Sequence, residues 1–320
     1  MRDLKELTGY DIITEEKIPE VNGTGYILSH KKTKARVLVI ANDDENKVFN
    51  IGFRTPPYDD SGIPHILEHS VLCGSRKYPV KDPFVELAKG SLNTFLNAMT
   101  YSDKTVYPIA SCNEKDFENL MDVYLDAVFY PNIYEHTEIM RQEGWHYELE
   151  NEDDELKING VVYNEMKGAF SSPDEVLERE IMNHLFPDTT YGCESGGDPK
   201  NIPDLTYENF LNFHRTYYHP SNSYIYLYGN MDMEEKLAFL DEHYLSHFDY
   251  LDVDSVIQEQ KAFGACRDVT LEYPVAENEG EEDNTYLSYN MVVGNAADSQ
   301  MAMAFEVLDY ALLSAPGAPL

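Results

Sequence analysis

The chain has 320 residues, 42% of them hydrophobic, enough to fill one large or two ordinary domains. Its 58 acidic and 24 basic residues leave a formal net charge of -34, which repels nucleic acid and anionic membranes and attracts cationic ligands such as basic peptides, although on composition alone simple solubility is the favoured reading. No run approaches the ~20 apolar residues of a membrane span, the N-terminal "MRDLKELTGYDIITEEK" lacks the apolar core of a signal peptide, and Cys73, Cys112, Cys193 and Cys266 form no CxxC pair, so an intracellular, cytoplasmic protein with free thiols is expected.

Three strand-like runs come first, "GTGYILSH" (23–30), "ARVLVIA" (35–41) and "KVFNIGF" (47–53), separated by turn-forming "KKTK" and "NDDEN". They predict an antiparallel meander. A helix is expected next within "GIPHILEHSVLCG" (62–74), with Asp59, Asp60 and Ser61 as caps and Pro64 in the first turn. "SLNTFLNAMTYSDKTVYPIAS" (91–111) reads as a hairpin about a "YSDK" turn. Asn113 and Asp116 open a helix in which Phe117, Leu120, Met121, Tyr124, Leu125 and Val128 recur at helical spacing up to Pro131. Then come a helix over 135–144, the strand "WHYELE", the turn "NEDDE" and two helical pieces, "NGVVYNEMKGAF" and "PDEVLEREIMNHLF", broken near Ser172 and Pro173. Beyond the glycine-rich loop "YGCESGGDPKNIPDL" lie a helix (206–217), the strand "SYIYLYG" (223–229) and another helix (233–244), an α+β mix of elements.

Residues 250–284 turn acidic and irregular around "RDVTLEY", with "VAENEGEEDN" (275–284) as a mobile loop. The block "TYLSYNMVVGNAADSQMAMAFEVLDYALL" (285–313) then repeats the order strand, polar loop, helix of residues 48–72. With Asp60-Ser61 registered on Asp298-Ser299, Glu306 aligns with Glu68, but Met303 and Val307 stand where His65 and His69 do. A second, metal-free copy of the first domain is therefore expected to begin here.

His65 and His69 lie four residues apart, on one helix face, and can direct their imidazole nitrogens at a common point flanked by Glu68. H-x-x-E-H is the inverted order of the zinc-peptidase grip. A catalytic zinc takes three protein ligands and leaves a fourth position open, so one more ligand is needed, preferably a carboxylate on a neighbouring helix. Spacing alone does not select it from 58 acidic residues. Cys73, four residues past His69, reads as packing rather than as a soft extra ligand. His243 and His247 share the i, i+4 spacing, but no carboxylate-bearing partner motif follows, and a solvated helix face is expected there. His146 and His219 read as satisfied core or strand-end residues.

Taken together, "HILEH", "SLNTFLNAMTYSDKTVYP", "GVVYNEMKGAFSSPD" and "YYHPSNSYIYLYGNMD" resemble the pitrilysin/insulinase family of zinc peptidases, most closely its presequence-protease branch. The resemblance runs over nearly the whole chain. It implies a largely antiparallel sheet packed against helices, with a catalytic domain over 1–255 and, over 256–320, a linker and the truncated start of a second homologous domain. It implies His65, His69 and Glu165 as ligands of Zn2+, Glu68 as the general base that activates the attacking water, and Asn97, Ala98 and Met99 as an edge strand to which extended peptide substrates add. Val161 and Val162 are expected to pack the Glu165 helix inward. Ile158, seven residues before Glu165, stands where other branches have an extra carboxylate, and no residue orienting the ligand histidines is legible.

In this branch four homologous domains form two halves that close around the peptide, so the implied partners are short or unfolded basic peptides and the C-terminal half of the same enzyme. The fragment alone is expected to bind zinc with weak or no peptidase activity. The alternative reading is a non-catalytic scaffold or partner subunit of the same fold, against which intact His65, Glu68, His69 and Glu165 argue.

Overall fold

Alternating apolar and polar residues build one eight-stranded sheet in the computed structural model, which describes residue 4 and residues 7–81, 83–273, 275 and 282–319. In chain order the strands are β1 (Tyr10–Ile18), β2 (Gly23–His30), β3 (Arg36–Ala41), β4 (Lys47–Arg54), β5 (Asn93–Leu96), β6 (Met99–Thr100), β7 (Lys104–Ser111), β8 (His146–Glu148), β9 (Lys157–Asn159) and β10 (Ser223–Gly229). The helices are α1 (Ile63–Val71), α2 (Pro83–Gly90), α3 (Glu114–Phe129), α4 (Thr137–Glu143), α5 (Val161–Ala169), α6 (Pro173–Leu185), α7 (Tyr207–Tyr217), α8 (Met233–His243) and α9 (Ser299–Asp309). The large sheet runs β1-β2-β3-β10-β4-β7-β5, with β6 also on β7, and β8 and β9 form a separate hairpin.

The sheet is antiparallel except where β10 lies parallel to β3, which makes the fold α+β as expected. The expected meander is corrected at that point, because β10 inserts between β3 and β4. The short connection 42–46 therefore does not close a hairpin but crosses the end of β10, where Asp44 O accepts from Asn230 N at 2.7 Å and Asp44 Oδ2 from the Tyr228 hydroxyl at 3.1 Å. Strand β1 was not anticipated. Most of its "YDIITEEKI" is polar and exposed, the composition of a protected sheet edge rather than of a half-buried strand.

One face of the sheet carries the core. Leu28, Val37, Val39, Phe49, Ile51, Phe53, Tyr107, Ile109, Ile225 and Leu227 pack under Ile66 and Leu67 of α1, Phe117, Leu120 and Tyr124 of α3, Phe210 of α7 and Leu237 of α8. Asn113 caps α3 as its spacing predicts, accepting from Asp116 N, and Asp232 does the same for α8 through Glu235 N. Helix α1 begins differently from expectation. Its N-cap is Gly62, while Asp59 accepts from Ser61 N and Asp60 reaches away to Glu194 N at 2.8 Å.

None of the described residues beyond Ser255 is buried. The helix expected near the end forms as α9, capped by Asp298, but the strand expected over 285–293 does not, and no strand among the described residues offers it a ladder. The acidic loop expected over 275–284 falls mostly outside the described residues. Among those residues no helix is long and apolar enough to cross a membrane.

A buried histidine sets an acid limit on this core. His214 on α7 accepts the Tyr134 hydroxyl at Nδ1 (2.7 Å) and donates from Nε2 to Val128 O (3.0 Å), and burial brings its pKa down to about 4 from 6.5. The unfolded chain protonates first, so this stabilisation is complete above pH 6.5 and is lost as pH falls towards 4. Urea unfolding is expected to show a loss of about 3 kcal/mol from this group between pH 7 and 4, absent in His214→Asn.

Candidate metal centre

Helix α1 packs against α4, α7, β6 and β7, so its polar face opens beside the β5–β6 edge of the sheet. Two close backbone approaches set the neighbours of that face. Gly62 (φ +70°) and Gly197 (φ +100°) touch, and a Cβ on Gly62 would lie 2.7 Å from Gly196 O. This presses the loop 191–205 onto the start of α1. At the other end, a Cβ on Gly160 would lie 2.1 Å from Gly144 O, so only glycine lets α5 start against the end of α4. That contact carries Glu165 to the histidines.

His65 Nε2 and His69 Nε2 lie 3.7 and 3.8 Å from Glu165 Oε2, and one ligand atom from each residue falls within 4.8 Å of the others. Donors bound to zinc at about 2.0–2.1 Å in tetrahedral array sit about 3.4 Å apart, so small side-chain adjustments would bring the three atoms to that spacing. Both rings are already oriented for it. His65 Nδ1 donates to Gly196 O at 3.1 Å, and His69 Nδ1 to Glu143 Oε2 at 3.4 Å, which leaves each Nε2 lone pair facing the common point. The donor set of two imidazoles and one carboxylate fits zinc.

Sequence reasoning missed Glu143. It is 6% exposed at the end of α4 and is held in turn by Gln142 Nε2 at 2.8 Å. A signal existed, since Glu143 follows Met140 by one helical turn on the buried face of α4. Burial works against both charges of the pair. Their hydrogen bond and the neighbouring groups together outweigh it, Glu68 and Glu165 helping to raise the His69 pKa and Gln142 helping to lower that of Glu143.

Glu68 stands apart from the three donors. It is 8% exposed, accepts the Thr100 hydroxyl at Oε2 (2.6 Å), and lines a cleft of about 260 Å³ with His69, Leu72, Cys73, Phe84, Val85, Asn97, Ala98 and Glu143. A carboxylate beside the donors but outside their set can accept a proton from a water in the cleft. Asn97 and Ala98 reach this cleft from a break between β5 and β6, so of the expected strand residues only Met99 is in regular strand. The expectation for α5 is corrected too: Val162 is buried, whereas Val161 is 44% exposed.

The remaining candidates lie outside the donor set, Cys73 on the wall of the cleft and the histidines away from it. Cys73 Sγ donates to His69 O at 3.5 Å, as a packed thiol on its helix does. His243 ends α8 and His247 lies in the following 3-10 turn, which breaks their shared face. His146 donates to Arg141 O, and His219 accepts from Ser221 N.

A family model described as Insulinase (Peptidase family M16) matches residues 48–192, and one described as Peptidase M16 inactive domain matches 204–320. Between them they take in most of the chain. The chain belongs to the pitrilysin/insulinase family, M16. Among curated relatives, it is 58% identical over 313 residues to Protein HypA of Clostridium perfringens, covering 98% of this chain and 32% of that protein. It is 49% identical to Presequence protease 1, chloroplastic/mitochondrial, of Arabidopsis thaliana (100% and 30%) and 41% identical to the mitochondrial presequence protease of Xenopus laevis (98% and 31%). The chain thus spans about a third of the length of the relatives it matches. Crystallised pitrilysin superposes with a TM-score of 0.61 at 19% identity, over 78% of this chain and 26% of that one. A Helicobacter pylori protease gives 0.57 at 18%, over 74% and 53%. Both show the M16 fold. The second family model begins at 204, yet β10 is a central strand of the first sheet, so residues 204–255 pack with the residues before them.

Proposed function

We propose that this chain is the zinc-binding part of an M16 endopeptidase that hydrolyses extended or unfolded peptides, with residues 1–255 as the zinc-holding unit and 256–320 as a linker and the start of a second one. The observation that carries the reading is the convergence of His65, His69 and Glu165, with Glu68 beside them and outside the donor set. That none of the described residues beyond Ser255 is buried supports the boundary.

When bound, zinc supplies Lewis acidity, polarising the scissile carbonyl and making water easier to deprotonate. The chain's own groups do the rest. Glu68 takes the proton of the attacking water and returns it to the leaving amine. Gly196 O and Glu143 keep both imidazoles in the tautomer that presents Nε2. The edge at Asn97, Ala98 and Met99 takes up the substrate by main-chain hydrogen bonds, so backbone is read more than side chains. Specificity then rests largely on charge. A net charge of -34 favours basic peptides, and the presequence proteases among its relatives suggest targeting-peptide-like substrates. The remaining two thirds of a polypeptide of the relatives' length would form the other wall of the chamber.

The test is hydrolysis of unstructured peptides of equal length and graded net charge by the full polypeptide. Expected is chelator-sensitive cleavage, restored by zinc, with kcat/KM rising with peptide positive charge and the advantage shrinking as salt screens it. Cleavage indifferent to chelator would refute the zinc reading.

A further inference from the structure

We infer that Thr100 is a positioning residue that ties the peptide-binding edge to the general base. This rests on Glu68 acting as proposed above. Strand β6 is only two residues long, Met99 and Thr100, paired with Val106 and Thr105 of β7. From it the Thr100 hydroxyl donates to Glu68 Oε2 at 2.6 Å, the length of a charge-assisted bond, and Thr100 Oγ1 also lies 3.5 Å from Pro64 O in the first turn of α1.

The preceding break is held from the other side. Tyr124 of α3 donates its hydroxyl to Asn97 O at 3.3 Å, and Asn97 N donates to Pro108 O at 3.3 Å. The segment 97–100 is therefore pinned to α3 at one end and to the base at the other. Glutamate has three rotatable side-chain bonds, and a hydroxyl fixed on a strand removes most of that freedom. A peptide that adds at Asn97 to Met99 docks on the same short segment that sets the Glu68 carboxylate, so substrate register and proton acceptor are fixed by one element. A misplacement of about 1 Å at such a group costs about a hundredfold in rate.

The experiment compares Thr100→Val, which keeps the shape and removes the hydroxyl, with Thr100→Ser, which keeps the hydroxyl, in the full polypeptide loaded with zinc. Thr100→Val is expected to lower kcat by about 10- to 100-fold with KM within about threefold of wild type, and Thr100→Ser to restore kcat to within about threefold. Zinc content is unchanged in both. In a Glu68→Gln background, Thr100→Val has less than about a twofold effect, because the residue it acts through is gone. Crystal structures of the zinc-free proteins are expected to show Glu68 in several rotamers in Thr100→Val and in one in Thr100→Ser.

Wild-type kcat in Thr100→Val, a serine variant as impaired as the valine one, or effects that multiply in the double variant would each overturn the inference while leaving the peptidase reading intact. A wild-type protein without chelator-sensitive cleavage overturns both.

Discussion

Glu68→Gln is expected to keep about one zinc per chain and to lower peptide hydrolysis in the full polypeptide by about 10²- to 10⁴-fold, the usual worth of a general base. Glutamine preserves the shape and still accepts the Thr100 hydrogen bond through its amide oxygen, so the edge segment stays in place. What it loses is the ability to take a proton. Zinc content, measured beside single-turnover cleavage, separates this outcome from a folding defect. Loss of zinc in Glu68→Gln would move Glu68 into the donor set and remove it from the role of base.

The second large effect is on the metal itself. His65→Ala, His69→Ala and Glu165→Ala each remove one of the three proposed donors, and each is expected to leave the purified chain essentially free of zinc. Glu143→Gln removes no donor. It weakens the hold on the His69 ring, and zinc affinity is expected to fall by about 10- to 100-fold, the usual cost of losing such an outer partner. A competition titration with a chromophoric chelator reads the whole series. The ordering separates the residues that bind from the one that orients.

How much of this was legible beforehand differs by element, for physical reasons. Local signals carried the helices. The Asn113 cap, the helical spacing up to Val128 and the break at Ser172 and Pro173 all depend on residues near one another, and α3, α5 and α6 follow them. Sheet order is not a local property. The "SYIYLYG" strand was readable, but nothing within it says that it slots between β3 and β4. Residues 285–293 show the converse, a strand-like sequence with no strand partner among the described residues.

The site divides in the same way. His65, Glu68 and His69 come from one helical turn and could be read directly, whereas Glu165 needed the family resemblance because 96 residues separate it from His69. Glu143 and Thr100 escaped altogether. Each acts through a single long-range hydrogen bond, to His69 and to Glu68, and neither lies in the H-x-x-E-H pattern.

The most direct test of the account is zinc stoichiometry in the purified wild-type chain and in His65→Ala, by elemental analysis after exhaustive dialysis. About one zinc per chain in the first and almost none in the second is the predicted result. Equal zinc in the two proteins, or none in either after incubation with the metal, would contradict it.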